Sequence, residues 1–177
     1  MEFWEFEFGI CFIFRYSNFE FYMVILGIDP GTTRIGFGVI KKSKNNLECI
    51  DYGLLSVSVS KDMLHKTVFE EVKKLAGKYK INAAAVEKLF FFKNQKTIIS
   101  VSEIRGVIMA ALTISGVPIY EFTPLQVKQA VSSYGRAGKD QVELMVRLIL
   151  SLKAQIKPDD AADGLAIAIC CANNIVY

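Results

Sequence analysis

The sequence of 177 residues has few of the residues that mark several large classes of protein. It contains one histidine and four cysteines, and the cysteines lack the paired spacing of a zinc site. No apolar run reaches the ~18 residues that a membrane-spanning helix requires. With four prolines and 52% hydrophobic residues, the composition is that of a compact globular chain. Adjacent Cys170 and Cys171 suit helix packing better than a disulfide framework, so we expect a reduced, cytoplasmic protein with no membrane partner.

Charge is distributed unevenly along the chain. The formal net charge is +3, but residues 1–22 contain four acids and one base, which leaves 20 bases and 14 acids in the remainder. Residues 23–177 therefore carry a net charge of +6. A moderately basic body of this kind is compatible with a polyanionic partner such as nucleic acid.

The first 22 residues differ in kind from the rest, because seven phenylalanines, a tryptophan and two tyrosines are crowded into them. They do not form a signal peptide, since they open with acidic residues and lack a small-residue cleavage site. So many exposed aromatic side chains would promote aggregation. We therefore expect Met23 to be the true first residue, residues 1–22 to be an extension with a mis-assigned start, and residues 23–177 to form one domain.

The apolar pattern predicts closely spaced strands followed by alternating helices and strands. We expect strands at 24–29, 35–41, 47–57, 83–87 and 119–122, and helices at 62–79, 97–113 and 160–174, with two further helices before the last. The first three strands are close enough to form an antiparallel meander. The whole is an α/β protein with a mixed sheet and helices on its faces. One apolar helix face fits either packing on the sheet or a dimer interface: Ile98, Val101, Ile104, Ile108 and Ala111.

Carboxylates occupy distinctive positions in this pattern. The first strand stops at Asp29, which Pro30 and a glycine follow, and the fourth strand stops at Glu87. Taken alone, Asp29 fits a turn cap. In the last helix, Asp160 and Asp163 are three residues apart and project from nearly the same face. Asp159 remains an alternative, because it fits an N-cap and also shares a face with Asp163.

Clustered carboxylates repel one another, so such a cluster implies a compensating cation. Oxygen ligands favour Mg²⁺ or Mn²⁺, and the shortage of histidine and suitably spaced cysteine argues against zinc. Two hard cations held close together can activate water and stabilise the leaving oxygen of a phosphodiester. The carboxylates therefore indicate nuclease chemistry.

Aromatic and basic residues follow the fourth strand and recur later. Phe90 is the first of three adjacent phenylalanines, and Lys93 follows them. These rings fit either packing against the next helix or stacking on an unpaired base, with lysines holding phosphates. Lys128 lies further on, and Arg136 and Lys139 lie in a glycine-containing segment that leads into a helix. Basic residues before a helix N-terminus are suited to gripping phosphate.

The motifs at 27–31, 86–91, 105–106, 127–131, 134–139 and 160–168 together resemble the bacterial RuvC crossover-junction endodeoxyribonucleases. The resemblance extends in order from Met23 to about Asn174. It implies an RNase H-like fold with a five-stranded mixed sheet flanked by helices. It also implies a homodimer that resolves four-way (Holliday) DNA junctions in homologous recombination and repair, by Mg²⁺-dependent symmetric nicking of two strands of like polarity. The RuvA–RuvB branch-migration complex is the implied protein partner.

The resemblance also implies roles for individual residues. The catalytic acids that bind two Mg²⁺ ions, for which Mn²⁺ can substitute, are Asp29, Glu87, Asp160 and Asp163. The family pattern selects Asp160 over Asp159, because Asp160 precedes Ala-Ala-Asp.

The same resemblance assigns basic and aromatic residues to DNA. Lys139 is implied to be catalytic as well as DNA-binding, and with Lys128 it corresponds to the basic residues near the scissile phosphate. Phe90 corresponds to the aromatic residue that stacks at the crossover. Lys93, Arg105 and Arg136 complete the expected DNA-binding set.

Three other functions compete with this interpretation. The segment 29–33 resembles the first phosphate loop of actin-like and sugar-kinase nucleotide-binding proteins, but those folds need a second phosphate loop and roughly twice this length. A non-catalytic junction-binding protein would lack the four acids. The YqgF group of RNase H-like resolvases shares the sheet and the first aspartate, but its later motifs differ from those seen here.

Overall fold

The computed structural model describes residues 22–44, 46–57, 60–89 and 95–175. Within these ranges the chain forms five strands and five helices, close to the predicted positions. In chain order they are β1 (Tyr22–Asp29), β2 (Gly36–Ser43), β3 (Asn46–Leu54), α1 (Lys61–Tyr79), β4 (Ala83–Glu87), α2 (Gln95–Ile114), β5 (Ile119–Phe122), α3 (Pro124–Ser132), α4 (Lys139–Ile149) and α5 (Asp159–Asn174). β1 begins at Tyr22, one residue before the predicted domain boundary.

The strands form one mixed sheet in the order β3-β2-β1-β4-β5. β1, β2 and β3 are joined as an antiparallel meander, while β4 runs parallel to β1 and β5 runs parallel to β4. The predicted meander and the predicted five-stranded mixed sheet are both confirmed. β1 is the central strand, so its end at Asp29 lies in the middle of one sheet edge.

Helices cover both faces of the sheet. On β1, Leu26 and Ile28 pack with α1 and α2, whereas Ile25 packs with the layer formed by α3, α4 and α5. Side chains alternate between the two faces of a strand, so Asp29 lies on the same face as Ile25. The end of β1 therefore directs its carboxylate toward α5.

Helix α5 lies very close to the sheet because glycines meet at the contact. A Cβ atom at Gly27 of β1 would clash with the backbone oxygen of Gly164 in α5, and one at Gly36 of β2 would clash with the backbone oxygen of Asp160. Only residues without a side chain permit this approach. The glycines therefore set the first two turns of α5 against the end of β1.

The apolar face of α2 that fitted two roles is part of the chain's own core. Val101, Ile104, Ile108 and Ala111 are at most 5% exposed, and the last three pack with α1 and the sheet. Of the two roles expected from the sequence, packing on the sheet is confirmed and a dimer interface formed by these residues is wrong. Ile98 is only partly buried.

None of the helices in the described ranges has both the length and the apolar character needed to span a membrane. The thiols of Cys49, Cys170 and Cys171 are free, and the last two are buried in α5 as expected.

Candidate active site

Asp29 and Glu87 end two neighbouring parallel strands. Ile28 of β1 pairs with Val86 of β4, so the next residue on each strand lies at the same sheet edge. Ala83 and Ala85 of β4 face α5, and the alternation along the strand places the Glu87 side chain on that face too. The sheet therefore brings the two carboxylates side by side, beneath α5.

Helix α5 supplies the other acids. Its N-cap is Pro158, so Asp159 belongs to the first turn; the N-cap alternative for Asp159 is wrong. Asp160 lies over Gly36, and Asp163 precedes Gly164, which contacts β2. The close contact of α5 with the sheet thus holds the latter two acids at the edge where the parallel strands end.

Two clefts converge on these acids. One, of about 270 Å³, is lined by Asp163, Lys128 and Lys139 as well as by the two strand-end acids. The other, of about 370 Å³, is lined by Asp160 and the loop after β1. Asp29 and Glu87 line both clefts, so they form the boundary between them. Asp159 instead lines a smaller cleft of about 120 Å³ beside α4.

The acids share one electrostatic environment. Burial, together with the charges of Asp163 and Asp160, raises the pKa of Asp29 to about 7, against a lowering effect of Lys139. Burial likewise raises the pKa of Glu87 to about 7, with a contribution from the Asp29 charge. The pKa of Asp163 is raised by burial and is opposed by Lys139. Negative charge at this edge is therefore undercompensated by the protein itself.

Two basic side chains lie against the acids. Lys139 Nζ is 3.5 Å from Asp163 Oδ2, and this neighbour raises the pKa of the lysine. Arg34, in the loop after β1, has its Nη1 3.8 Å from Asp160 Oδ2. The sequence motifs did not single out Arg34; the available signal was its position five residues after Asp29 in the same loop.

The donor set fits a hard divalent cation. All four acids offer carboxylate oxygens, the ligand type that Mg²⁺ and Mn²⁺ prefer. In the described part of the chain, no three His, Cys, Asp or Glu side chains already form a closed ligand group. The like charges of these carboxylates repel one another, and a divalent cation bound among them would offset that repulsion.

The predicted DNA-binding residues occupy different environments. Lys128 of α3 lines the cleft of about 270 Å³, and its charge lowers the pKa of nearby Glu87. Arg136 is exposed in the loop before α4. Phe90 and Lys93 lie outside the described residues.

Arg105 is held by contacts within the protein. Its Nε donates a hydrogen bond to the backbone oxygen of Glu87 at 3.2 Å, and its guanidinium forms an ion pair with the carboxylate of Glu121 on β5. Burial lowers the pKa of Arg105. This arginine is therefore engaged inside the fold, behind the strand that carries Glu87.

Comparison with known proteins identifies the family. The profile of the crossover junction endodeoxyribonuclease RuvC family matches residues 25–171. The RuvC of Petrotoga mobilis is 50% identical over 154 residues, covering 85% of this chain and 94% of that protein. The RuvC of Clostridioides difficile is 46% identical over 154 residues, covering 86% of this chain and 91% of that protein.

Solved structures agree with the sequence comparison. T. thermophilus RuvC in complex with a Holliday junction substrate matches with a TM-score of 0.77 and 34% identity, covering 84% of this chain and 92% of that one. The yeast mitochondrial Holliday junction resolvase Ydc2, at 13% identity and a TM-score of 0.60, shares the fold alone. The expected RNase H-like fold is confirmed. Four acids at one sheet edge and these matches lead to one conclusion: the chain belongs to the RuvC family of crossover junction endodeoxyribonucleases.

Proposed function

We propose that this protein is an endonuclease that resolves four-way DNA junctions by nicking two strands of like polarity, in homologous recombination and repair. The observation that carries the proposal is the convergence of Asp29, Glu87, Asp160 and Asp163 on two adjoining clefts. Membership of the RuvC family supports the same activity, since relatives are named for it. A purely binding protein would have no need for buried, mutually repelling acids.

The chemistry is hydrolysis of a phosphodiester. A bond forms between a water oxygen and the scissile phosphorus, and the bond to the 3′ oxygen breaks, leaving a 5′-phosphate and a 3′-hydroxyl. The four acids would hold two Mg²⁺ ions, or Mn²⁺ in their place. Those ions, when bound, lower the pKa of water and stabilise charge on the leaving oxygen.

Basic and aromatic side chains position the DNA in this proposal. Lys139 and Lys128 lie in the cleft of about 270 Å³, where their charges attract and orient the scissile phosphate. Arg136 and Lys93 bind neighbouring phosphates, and Phe90 stacks on a base at the crossover.

The protein acts as a cytoplasmic homodimer in this proposal. A four-way junction presents two related scissile phosphates, and a two-fold protein offers one complete site to each. Family resemblance supports the RuvA–RuvB branch-migration complex as the partner that brings junctions to it.

The deciding experiment incubates the full chain with a synthetic four-way junction in Mg²⁺, beside a linear duplex of the same sequence. We expect paired nicks at symmetric positions in the junction and none in the duplex. Asp29→Asn should bind the junction with wild-type affinity and leave it uncut, because the change removes a metal ligand but little DNA-contact surface.

Two other outcomes would contradict the proposal. Tight junction binding without nicks by the wild-type protein would establish a non-catalytic binding module. Turnover of ATP without junction binding or cleavage would revive the nucleotide-binding alternative.

A further inference from the structure

Arg105 connects helix α2 to the ends of two strands. Helix α2 packs, together with α1, on the face of the sheet opposite α5. Arg105 Nε contacts the Glu87 backbone oxygen on β4, and the Arg105 guanidinium contacts the Glu121 carboxylate on β5. One side chain thus joins α2, β4 and β5 immediately behind the acid cluster.

The Arg105 side chain is largely shielded from solvent, more so than that of Glu121. Its side chain is 18% exposed and that of Glu121 is 36% exposed. A partly buried guanidinium is costly unless its donors are paired, and both partners here are protein atoms. Two of the three guanidinium nitrogens, Nε and Nη2, contact protein atoms, so the contacts favour a role inside the fold.

Glu87 is the last residue of strand β4. It is the last residue of β4 that pairs with β5, opposite Phe122, and the Lys88 amide donates to the Phe122 carbonyl at 2.8 Å. The Arg105 bond to the Glu87 carbonyl therefore adds a restraint at the point where the strand leaves the sheet.

The restraint acts on the Glu87 backbone from the α2 side of the sheet, whereas the Glu87 side chain points to the α5 side. Its carboxylate lies with Asp29 in both clefts, while its backbone is held from the α2 side. Proximity catalysis is sensitive to shifts of about 1 Å in a reacting or ligating group. A backbone rotation at the strand end would move the carboxylate by that order.

We propose that Arg105 is a positioning residue, which with Glu121 fixes the end of β4 so that the Glu87 carboxylate stays beside Asp29. The proposal rests on the proposed nuclease activity for its consequence in cleavage. It replaces the DNA contact that the resemblance implied for Arg105.

The test compares Arg105→Met and Glu121→Gln with the wild-type protein in three measurements. These are Mn²⁺ affinity by electron paramagnetic resonance without DNA, junction affinity in Ca²⁺, and single-turnover junction cleavage across a Mg²⁺ titration. Arg105→Met should weaken Mn²⁺ binding and slow cleavage by roughly 10- to 100-fold, with junction affinity unchanged. Glu121→Gln should shift both properties in the same direction by a smaller factor, since it keeps the shape but loses the charge. Arg105→Lys should recover part of the loss.

The control is Lys66→Met, which removes an equally positive but exposed side chain from α1. It should leave all three measurements unchanged. Junction affinity that falls in step with cleavage in Arg105→Met would make Arg105 a DNA ligand and overturn the proposal. The proposal would also be overturned if both variants folded, bound Mn²⁺ with wild-type affinity and differed from the wild-type protein only in a lower Tm. The contact would then contribute to stability alone. Because Mn²⁺ binding is measured without DNA, an inactive wild-type protein would refute the proposed function while leaving this test decisive.

Discussion

At the scale of single residues, Asp29 and Glu87 combine burial with mutual repulsion, so the folded protein binds protons on them more readily than the unfolded chain does. The pKa of each is raised to about 7 from an ordinary value near 4. A group whose pKa is higher in the folded state stabilises the fold when it is protonated. That contribution is lost as the pH rises from the ordinary pKa of the group through its raised pKa. The metal-free protein is therefore destabilised by its own site at neutral and higher pH.

This predicts a pH-dependent effect of Asp29→Asn. In EDTA, the variant should exceed the wild-type free energy of unfolding by about 1–3 kcal/mol at pH 8 and by much less at pH 4.5. Urea denaturation at the two pH values measures the difference. Saturating Mg²⁺ should reverse the order at pH 8, because only the wild-type protein retains the full ligand set. Identical differences at both pH values would refute the raised pKa of Asp29.

Sequence motifs located the four acids, and the family resemblance supplied Lys128 and Lys139, but neither identified Arg34 or the partner of Arg105. The acids end apolar strands or lie one helical turn apart, which are local properties that periodicity exposes. Arg34 meets Asp160, and Arg105 meets Glu121, only because the fold joins separate elements. Such pairs depend on distances in the folded protein, so the sequence motifs do not specify which residues pair.

At the scale of elements, the contact between α5 and the sheet determines where half of the acids lie. Gly27→Ala should therefore destabilise the protein by about 2–3 kcal/mol or more, because its Cβ would clash with the backbone of Gly164 and Ala168. The clash should also displace α5, and this displacement should lower cleavage by the folded fraction.

The control is Gly77→Ala in α1, where a Cβ meets nothing within 4 Å. That change should stabilise the protein by roughly 0.5–1 kcal/mol, because alanine is the better helix former. Thermal and urea unfolding of both variants give the comparison.

The C-terminal end of α5 has its own restraint. Lys42 Nζ, on β2, donates to the backbone oxygens of Ala172 at 2.6 Å and Ile175 at 2.8 Å. These carbonyls lie at the negative end of the helix dipole, where a lysine is favourable. Lys42→Met should lower the free energy of unfolding by about 1–2 kcal/mol, as measured by urea denaturation. The exposed Lys153→Met serves as the charge-matched control, and an equal loss in both variants would count against the cap.

The element pattern was largely predictable because the apolar periodicity agrees with the final burial. The meander, the two parallel strands and the long helices all follow from local runs of residues. The sequence could not decide whether the apolar face of α2 packs on the sheet or on another subunit, since both uses need the same spacing. Only the burial of Ile104 and Ile108 within one chain answers that question.

At the scale of the whole molecule, one chain supplies all four acids from β1, β4 and α5. Each subunit of the proposed dimer would therefore contain a complete site, and each site would cut one strand. The basic charge of residues 23–177, +6, suits the attraction of two DNA arms to such a dimer. Symmetric resolution then depends on two independent sites that are held on one junction.

Mixed dimers test this arrangement directly. Dimers of one wild-type and one Asp29→Asn subunit, isolated with two different affinity tags, should bind a plasmid-borne cruciform with wild-type affinity. They should convert supercoiled plasmid mainly to nicked circles, because only one strand of each junction is cut, whereas wild-type dimers should produce linear molecules. Dimers of two variant subunits should leave the plasmid supercoiled. Linear product from the mixed dimers at the wild-type rate would mean that one site cuts both strands in turn. An active species that sediments as a monomer would contradict the proposal that two subunits share one junction.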